Sequence, residues 1–380
     1  MSASWQTKTI GDVCAVVNGG TPKTGVASYW DGPHLWVTPA EMGKRSTPYM
    51  EQTARTITDD GLQNSSARPL PPYSVILSSR APIGYLVINT LPMATNQGCK
   101  GLVPSDQMDH KFLFYYLTSN VELLNELGSG ATFKELSGGK LKEVPIPVPP
   151  LAEQQRIVGI LDEAFEGLAT AKANAEKNRQ NARALLESHL QSAFTHRGEG
   201  WGIATLDQIA TNLDSKRIPI TKGVRSSGVY PYYGASGIVD YVADYIFEGD
   251  TLLISEDGAN LLARSTPIAF SVAGKYWVNN HAHILKFKHM ATQRFVEFFF
   301  ASIKLDEYIT GAAQPKLNQK ALNSIPIPLP ASVGAQETIV RLIDSLQEET
   351  QRLESLYQRK LTALDELKKS LLHQAFSGAL

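Results

Sequence analysis

This chain states the same text twice, and that duplication limits the fold more than any other feature. Lys140-Leu-Lys-Glu-Val-Pro-Ile-Pro-Val-Pro149 returns as Gln319-Lys-Ala-Leu-Asn-Ser-Ile-Pro-Ile-Pro-Leu-Pro330. Gln154-Gln-Arg-Ile-Val-Gly-Ile-Leu-Asp162 returns as Gln336-Glu-Thr-Ile-Val-Arg-Leu-Ile-Asp344, and Ser188-His-Leu-Gln-Ser-Ala-Phe194 as Ser370-Leu-Leu-His-Gln-Ala-Phe376. Near the start, Trp5-Gln-Thr-Lys-Thr-Ile-Gly-Asp-Val13 pairs with Trp201-Gly-Ile-Ala-Thr-Leu-Asp-Gln-Ile209. The period far exceeds the ~20–50 residues of solenoid repeats, so the copies are domains with pseudo-twofold symmetry.

The copies match unevenly. Ile157 maps to Ile339 and Phe194 to Phe376 at one constant offset, with no gap between. The stretches ahead of these segments match only in islands, such as Thr95-Asn-Gln-Gly-Cys99 against Asn279-Asn-His-Ala-His283. One part of each copy is held to fixed length while the other varies. A shared frame carrying two different readers fits that pattern, and two equivalent catalytic sites fit it poorly.

The repeated segments at 152–194 and 333–376 predict long helices. Both are rich in Ala, Leu, Glu, Lys, Gln and Arg, lack internal proline and follow a proline-rich stop. In the second, Ile343, Leu346, Thr350, Leu353, Tyr357, Lys360, Leu364, Leu367 and Leu371 alternate at +3 and +4. Four heptads of that spacing predict a coiled coil. The matching first-helix positions are Leu161, Ala164, Leu168, Ala171, Ala175, Asn178, Ala182, Leu185 and His189. Asn178 and Lys360 are expected as polar residues within this seam. A helix of this length spans about 60 Å. Connectivity makes the pair antiparallel, with a globular domain at each end. The expected divisions are 1–150, 151–200, 201–330 and 331–380: globular domain, helix, globular domain, helix. The fold class is α+β, two mixed α/β domains joined by two long antiparallel coiled-coil helices. Strands are expected at 73–78, 84–88, 251–255 and 283–287, and short helices at 111–117 and 294–300.

Apolar content of 43% and charged content of 19% are globular values. No apolar run approaches the ~18 residues of a membrane span, and Met1-Ser-Ala-Ser-Trp-Gln lacks a signal-peptide profile. Cys14 and Cys99 are the only cysteines and belong to no Cys-x-x-Cys pair, which points to reduced cytoplasmic thiols. Net charge is −1, so any nucleic-acid contact has to come from local basic clusters.

Catalytic motifs are missing. The chain has no Gly-x-x-x-x-Gly-Lys-Ser/Thr, Gly-x-Gly-x-x-Gly, His-Glu-x-x-His or Gly-x-Ser-x-Gly, and no Asn-Pro dipeptide. His281-Ala-His283 lacks an evident third metal ligand, and no metal is expected. Asp214-Ser-Lys216 and Glu366-Leu-Lys368 read as solvated charge. What remains are loops equipped to read a DNA groove. The first half offers Lys23, Tyr29, Lys44, Arg45, Arg80, Asn96 and Gln97. The second offers Lys216, Arg217, Arg225, Tyr232, Tyr233, Ser236, Glu256, Asp257, Arg264, Asn280 and His281. Arg and Lys suit guanine, Asn and Gln adenine, Asp and Glu cytosine, while hydroxyls and backbone N–H groups suit phosphates. A coiled-coil scaffold with protein- or glycan-binding ends is the competing reading of the same features.

The chain resembles the specificity subunit of Type I restriction–modification systems over essentially its whole length. The resemblance rests on Ile-Pro-Ile/Val-Pro-x-Pro followed by the Glu-Gln-Gln-Arg-Ile-Val helix, and on the second copy at 326–340. It rests also on Gly19-Gly-Thr-Pro22 with Tyr29-Trp30 and Trp36, on Tyr230-Pro-Tyr-Tyr-Gly-Ala-Ser-Gly237, and on Gln374-Ala-Phe-Ser-Gly378. The second copy departs from the pattern, with Gln336-Glu-Thr338 and one inserted residue ahead of it. The resemblance implies that each domain reads half of a bipartite asymmetric site in double-stranded DNA. It implies helices that set the spacer and dock two methyltransferase subunits, through which restriction subunits join. The chain itself would have no catalytic residue and no cofactor, S-adenosylmethionine being bound by the methyltransferases.

Overall fold

The computed structural model describes residues 5–45, 47–130, 134–311 and 313–380. The leader reading of residues 1–4 lies outside them. Contacts gather the chain into two units, Met1–Asn174 with Lys360–Leu380, and Ala175–Arg359.

The two units are built on one strand plan. In the first, a sheet runs in the order Cys14–Asn18, Cys99–Pro104, Val75–Ser79, Ile83–Asn89, Tyr49–Met50. In the second it runs Ala210–Asn212, Ala282–Phe287, Thr251–Ser255, Ala269–Val272, the same order without the last strand. The four shared strands are antiparallel in both. A second sheet centres on Trp30–Val37 in one unit and Ser227–Gly234 in the other. Each of these pairs in parallel with a short strand, Met93–Thr95 or Lys275–Val278. A third pairing, Gln6–Thr9 with Pro145–Val148 and Trp201–Ala204 with Ile327–Pro330, holds the start of each domain against its end. Pro-x-Pro suits that role, because a strand with a single neighbour needs only alternate N–H groups. Capping boxes follow in both copies, at Thr9 with Asp12 and at Thr205 with Gln208.

The aromatic stripes at 112–116 and 295–300 lie on helices His110–Ser119 and Met290–Ser302 and are buried as core. Each core receives a phenylalanine from the end of a long helix. Phe376 packs edge-on against Phe112 and Tyr116 in the first unit, and Phe194 against Phe295 and Phe299 in the second. The last turn of each repeated helix thus belongs to one globular core.

The long helices run Leu151–Thr195 and Val333–Ser377. They are antiparallel within each unit. In the first, Lys172 meets Asp365 and Arg156 meets the carbonyl of Leu380. In the second, Arg179 meets Gln358 and Arg183 meets Glu354. Leu161, Leu168 and Ile343 are buried in or beside the seam and Leu353 is half-buried. Asn178, Leu185, Lys360 and Leu367 are exposed and do not belong to it, which corrects the sequence-based seam. The covered line passes through buried Ala175 and Ala182 with half-buried Arg179 and Leu186, and through half-buried Tyr357, Leu361 and Leu364. At 3.6 residues per turn a fixed heptad drifts, and here an extra +4 step absorbs the drift at 175–179 and again at 357–361.

Candidate nucleic-acid interface

One glutamine and one aspartate fasten each domain to its helix. Gln154 is fully buried: its Oε1 accepts the Asp109 N–H at 2.8 Å, and its Nε2 donates to the carbonyls of Gln107 and Pro149 at 2.8 and 2.9 Å. Gln336 repeats the arrangement, donating to Pro330 O at 2.8 Å and accepting from the Thr292 hydroxyl at 2.6 Å. The inserted residue before Gln336 therefore leaves the start of the second helix anchored as the first is. Eight residues on, Asp162 takes Lys111 and the Tyr115 hydroxyl, and Asp344 takes Arg294. Desolvation and the neighbouring Asp162 carboxylate together push the Tyr115 phenol far above its usual range. These anchors escaped the sequence-based list of site residues, although their signal was present as Gln and Asp kept at one offset in both copies.

Above this frame each unit carries a matched turn between its parallel-paired strand and the sheet. In the first, Asn96 N–H donates to Val37 O at 3.0 Å, and Asn96 Oδ1 accepts the Gly98 N–H at 2.6 Å. In the second, Asn279 N–H donates to Tyr233 O at 3.0 Å, and Asn279 Oδ1 accepts the His281 N–H at 2.8 Å. Asn96 thus corresponds to Asn279, one residue off the match the sequence offers. Gln97 and Asn280 stand exposed at the two apices.

The first turn is braced by Gly19-Gly20-Thr21. Gly20 N–H bonds Thr95 O at 2.8 Å, and the Thr21 hydroxyl donates to Gln97 Oε1. A Cβ on Gly19 would stand 1.8 Å from the Asn96 carbonyl oxygen, so glycine alone permits this approach. Arg80 lies against Gly98 and 3.8 Å from Glu135, which also faces the buried Lys100 at 3.8 Å. The second turn is braced differently. Asp257 takes His281 Nδ1 at 2.9 Å, and the Ser255 hydroxyl holds the carbonyl of Ala235 beside exposed Ser236.

Beneath the second turn lies a buried charge network. His283 Nδ1 meets Asp214 at 2.6 Å and its Nε2 meets Leu317 O at 2.8 Å. Arg217 donates to Glu256 at 2.6 Å and to Ala282 O at 2.8 Å. Desolvation pushes the Asp214 carboxyl up. Hydrogen bonding and charge from His283, the Ile284 N–H and Arg217 outweigh it and hold the group below its usual value. The reading of Asp214 as solvated charge is corrected accordingly, since its side chain is 8% exposed. His281 and His283 also part company, the first outward on the turn and the second inward. Ligand atoms of Asp214, Glu256 and His283 lie within 4.8 Å of one another, but Arg217, Lys316 and the Leu317 carbonyl engage them, so the group reads as an ion-pair network.

Other sequence-predicted readers have structural engagements. Tyr232 is buried at 1% exposure, with Arg225 stacked 4.3 Å from its ring centre; Arg225 also bonds Asp240 at 3.0 Å. Arg264, at a left-handed φ of 51°, donates to the carbonyls of Phe300 and Ile303 at 3.0 and 2.9 Å, and desolvation lowers its pKa. Arg45 donates to Tyr49 O at 2.8 Å. Tyr29 and Tyr233 are half-buried, Tyr233 beside Phe270 and Tyr276. Lys23, Lys44 and Lys216 are exposed. The structure therefore gathers Arg80, Asn96 and Gln97 at one turn, and Asp257, Asn280 and His281 at the other.

Two copies of one domain, each fastened to a long helix and each with its own exposed turn, define a two-headed recognition protein. The profile of the Type I restriction modification DNA specificity domain matches residues 3–178 and again 198–362, and the chain belongs to that family. Its role there is DNA specificity and not catalysis. It is similar to the Type I restriction enzyme MjaIX specificity subunit of Methanocaldococcus jannaschii, at 29% identity over 76% of this chain and 70% of the relative. Its fold is that of a chain in a structure of complex assembly and conformational transition in the type I R-M system, with a TM-score of 0.78, 15% identity, and 100% and 99% of the two chains covered. It also matches the HsdS subunit from Thermoanaerobacter tengcongensis, with a TM-score of 0.66, 15% identity, and 100% and 98% coverage.

Proposed function

We propose that the two units read the two halves of a bipartite asymmetric DNA site in the major groove. The observation that carries this is one strand plan used twice with different side chains at its exposed turn: Arg80 and Gln97 in one copy, Asp257, Asn280 and His281 in the other. Among the other exposed basic side chains, Lys23, Lys44 and Lys216 contact phosphates and set orientation. With a net charge of −1 the chain has a weak non-specific attraction to DNA and binds tightly as part of a complex. Residues 1–150 and 201–330 act as the recognition domains. The helices at 151–200 and 331–380 set the spacer and dock two methyltransferase subunits, through which restriction subunits join. S-adenosylmethionine belongs to the methyltransferases, and the complex works in the cytoplasm. No helix of the described residues is long and apolar enough to cross a membrane.

The test is methylation by the assembled complex on a random-sequence library. One bipartite motif is expected, and exchange of residues 1–150 for another family member's domain should alter one half of it. Loss of both halves on that exchange would mean that the units read DNA jointly.

A further inference from the structure

Gln97 and Asn280 are different residues in stretches that match poorly, yet they occupy one place. Each is the second residue of an asparagine-capped turn, preceded by Asn96 or Asn279 and followed by a residue whose N–H that asparagine accepts. Each capping asparagine hangs from the central strand of the second sheet through a 3.0 Å bond, to Val37 O or Tyr233 O. The flanking strands are buried: Met93, Ala94 and Thr95 before the first turn and Cys99 after it, Val278 before the second and Ala282 after it. A carboxamide therefore projects from a rigid, buried base in both units.

Resting on the DNA-reading function above, we propose that Gln97 and Asn280 are the equivalent specificity-determining residues of the two units, each reading an adenine. The chemistry is that of the carboxamide. Its N–H donates to adenine N7 while its oxygen accepts from the N6 amino group, a pairing no other base edge offers in the major groove. In the first unit the Thr21 hydroxyl donates to Gln97 Oε1, which fixes the amide orientation and leaves that oxygen a second lone pair for N6. Neighbours differ. Arg80 packs on Gly98 beside the first apex, whereas His281, held by Asp257, follows the second. The two half-sites accordingly share an adenine at one structural position and diverge around it. That makes the site asymmetric in sequence while the protein is pseudo-symmetric.

The experiment uses the full complex of this chain with its methyltransferase subunits, on libraries in which each half-site is randomised in turn. Gln97→Ala should relax adenine preference at one position of one half-site by about 5- to 150-fold and leave the other half-site as it was. Gln97→Glu should move that preference toward cytosine, whose N4 amino group donates to a carboxylate. Asn280→Ala and Asn280→Asp should do the same in the other half-site. Thr21→Val should weaken the Gln97 preference without changing its base. Both apices are exposed, so thermal midpoints should hold, which separates lost reading from lost folding. Unchanged profiles in Gln97→Ala and Asn280→Ala, or relaxation at a position that prefers another base, would overturn the assignment. A wild-type complex with no sequence preference would overturn the DNA-reading function itself.

Discussion

The helix anchors that form the floor of each unit and the ground beneath each unit's turn differ in how they treat charge. At the floor both units use the same groups: Gln154 and Gln336 on carbonyls, Asp162 and Asp344 on a cation of the neighbouring helix. Beneath the turns they part. Lys100 pairs across the sheet with Leu77, and His283 with Ile254, the same place in both sheets. Lys100 has a half-exposed Glu135 at 3.8 Å, whereas His283 is locked to Asp214 inside a four-member network with Arg217 and Glu256. Copies of one domain tolerate this divergence because each network ties loops of its own unit only. The frame must fit a common helix and so cannot vary.

The largest expected difference between units follows from that network. Asp214→Ala removes the carboxylate 2.6 Å from the buried His283 and leaves Glu256, 3.8 Å away and already paired with Arg217, as its nearest acid; such losses cost about 3–5 kcal/mol. Asn18 holds the equivalent place in the first unit but is exposed, so Asn18→Ala should stay within about 0.5 kcal/mol. Chemical denaturation of the two variants measures both. The pH dependence has a definite sign. Because folding lowers the Asp214 pKa, its contribution is present above the usual value of 3.8 and is lost as pH falls below it. Acid titration should therefore show Asp214→Asn losing less stability than the wild type in that range.

The floor should respond alike in both units. Gln154→Ala strands the Asp109 N–H and the carbonyls of Gln107 and Pro149, for a loss of about 3 kcal/mol. Gln336→Ala strands the Pro330 carbonyl and the Thr292 hydroxyl, for about 2 kcal/mol. A neutral outcome for either in thermal unfolding would show that the repeated glutamine is not an anchor. Smaller again are Lys111→Met and Arg294→Met, whose carboxylate partners are 38% and 39% exposed. About 1 kcal/mol is expected from each.

Much of the frame was legible in the sequence because helices and duplication are periodic signals. The helix limits fell within a residue or so of Leu151–Thr195 and Val333–Ser377, and their antiparallel course followed from connectivity. What lay beyond the sequence was phase and partnership. The seam drifted from Asn178 to Arg179 because a heptad and a 3.6-residue turn differ slightly. The two asparagine-capped turns were matched one residue out of step, since Asn279-Asn280 offers two asparagines and the hydrogen bonds to Tyr233 O and from His281 N–H select the first. Arg264 looked like a base reader because nothing local reveals the carbonyls of Phe300 and Ile303 at its tip. Gln97 and Asn280 were legible as polar loop residues, but their equivalence needed the backbone.

The least effect is expected where the long helices exchange charges, and that expectation separates two accounts of how they hold together. Among the described residues the cross-helix ion pairs are Lys172 with Asp365 in the first unit and Arg183 with Glu354 in the second, and they lie at the surface. Hydrogen bonding from Lys172 and its charge lower the Asp365 pKa, and hydrogen bonding and charge from Glu354 raise that of Arg183, so both attractions exist. In water, however, each long side chain surrenders rotamer freedom and solvation to meet its partner, and salt screens what remains. Ala175, Ala182, Leu353 and Leu361 offer no such offset, since burying them removes apolar surface from water. Lys172→Ala and Arg183→Ala, singly or together, should thus leave the thermal midpoint nearly unchanged, and raising salt should not separate them from the wild type. Ala175→Asp or Ala182→Asp, which places a charge in the seam, should lower it clearly. If instead the lysine and arginine variants melt early, and the deficit disappears in high salt, the helices are joined by charge and the apolar seam is incidental.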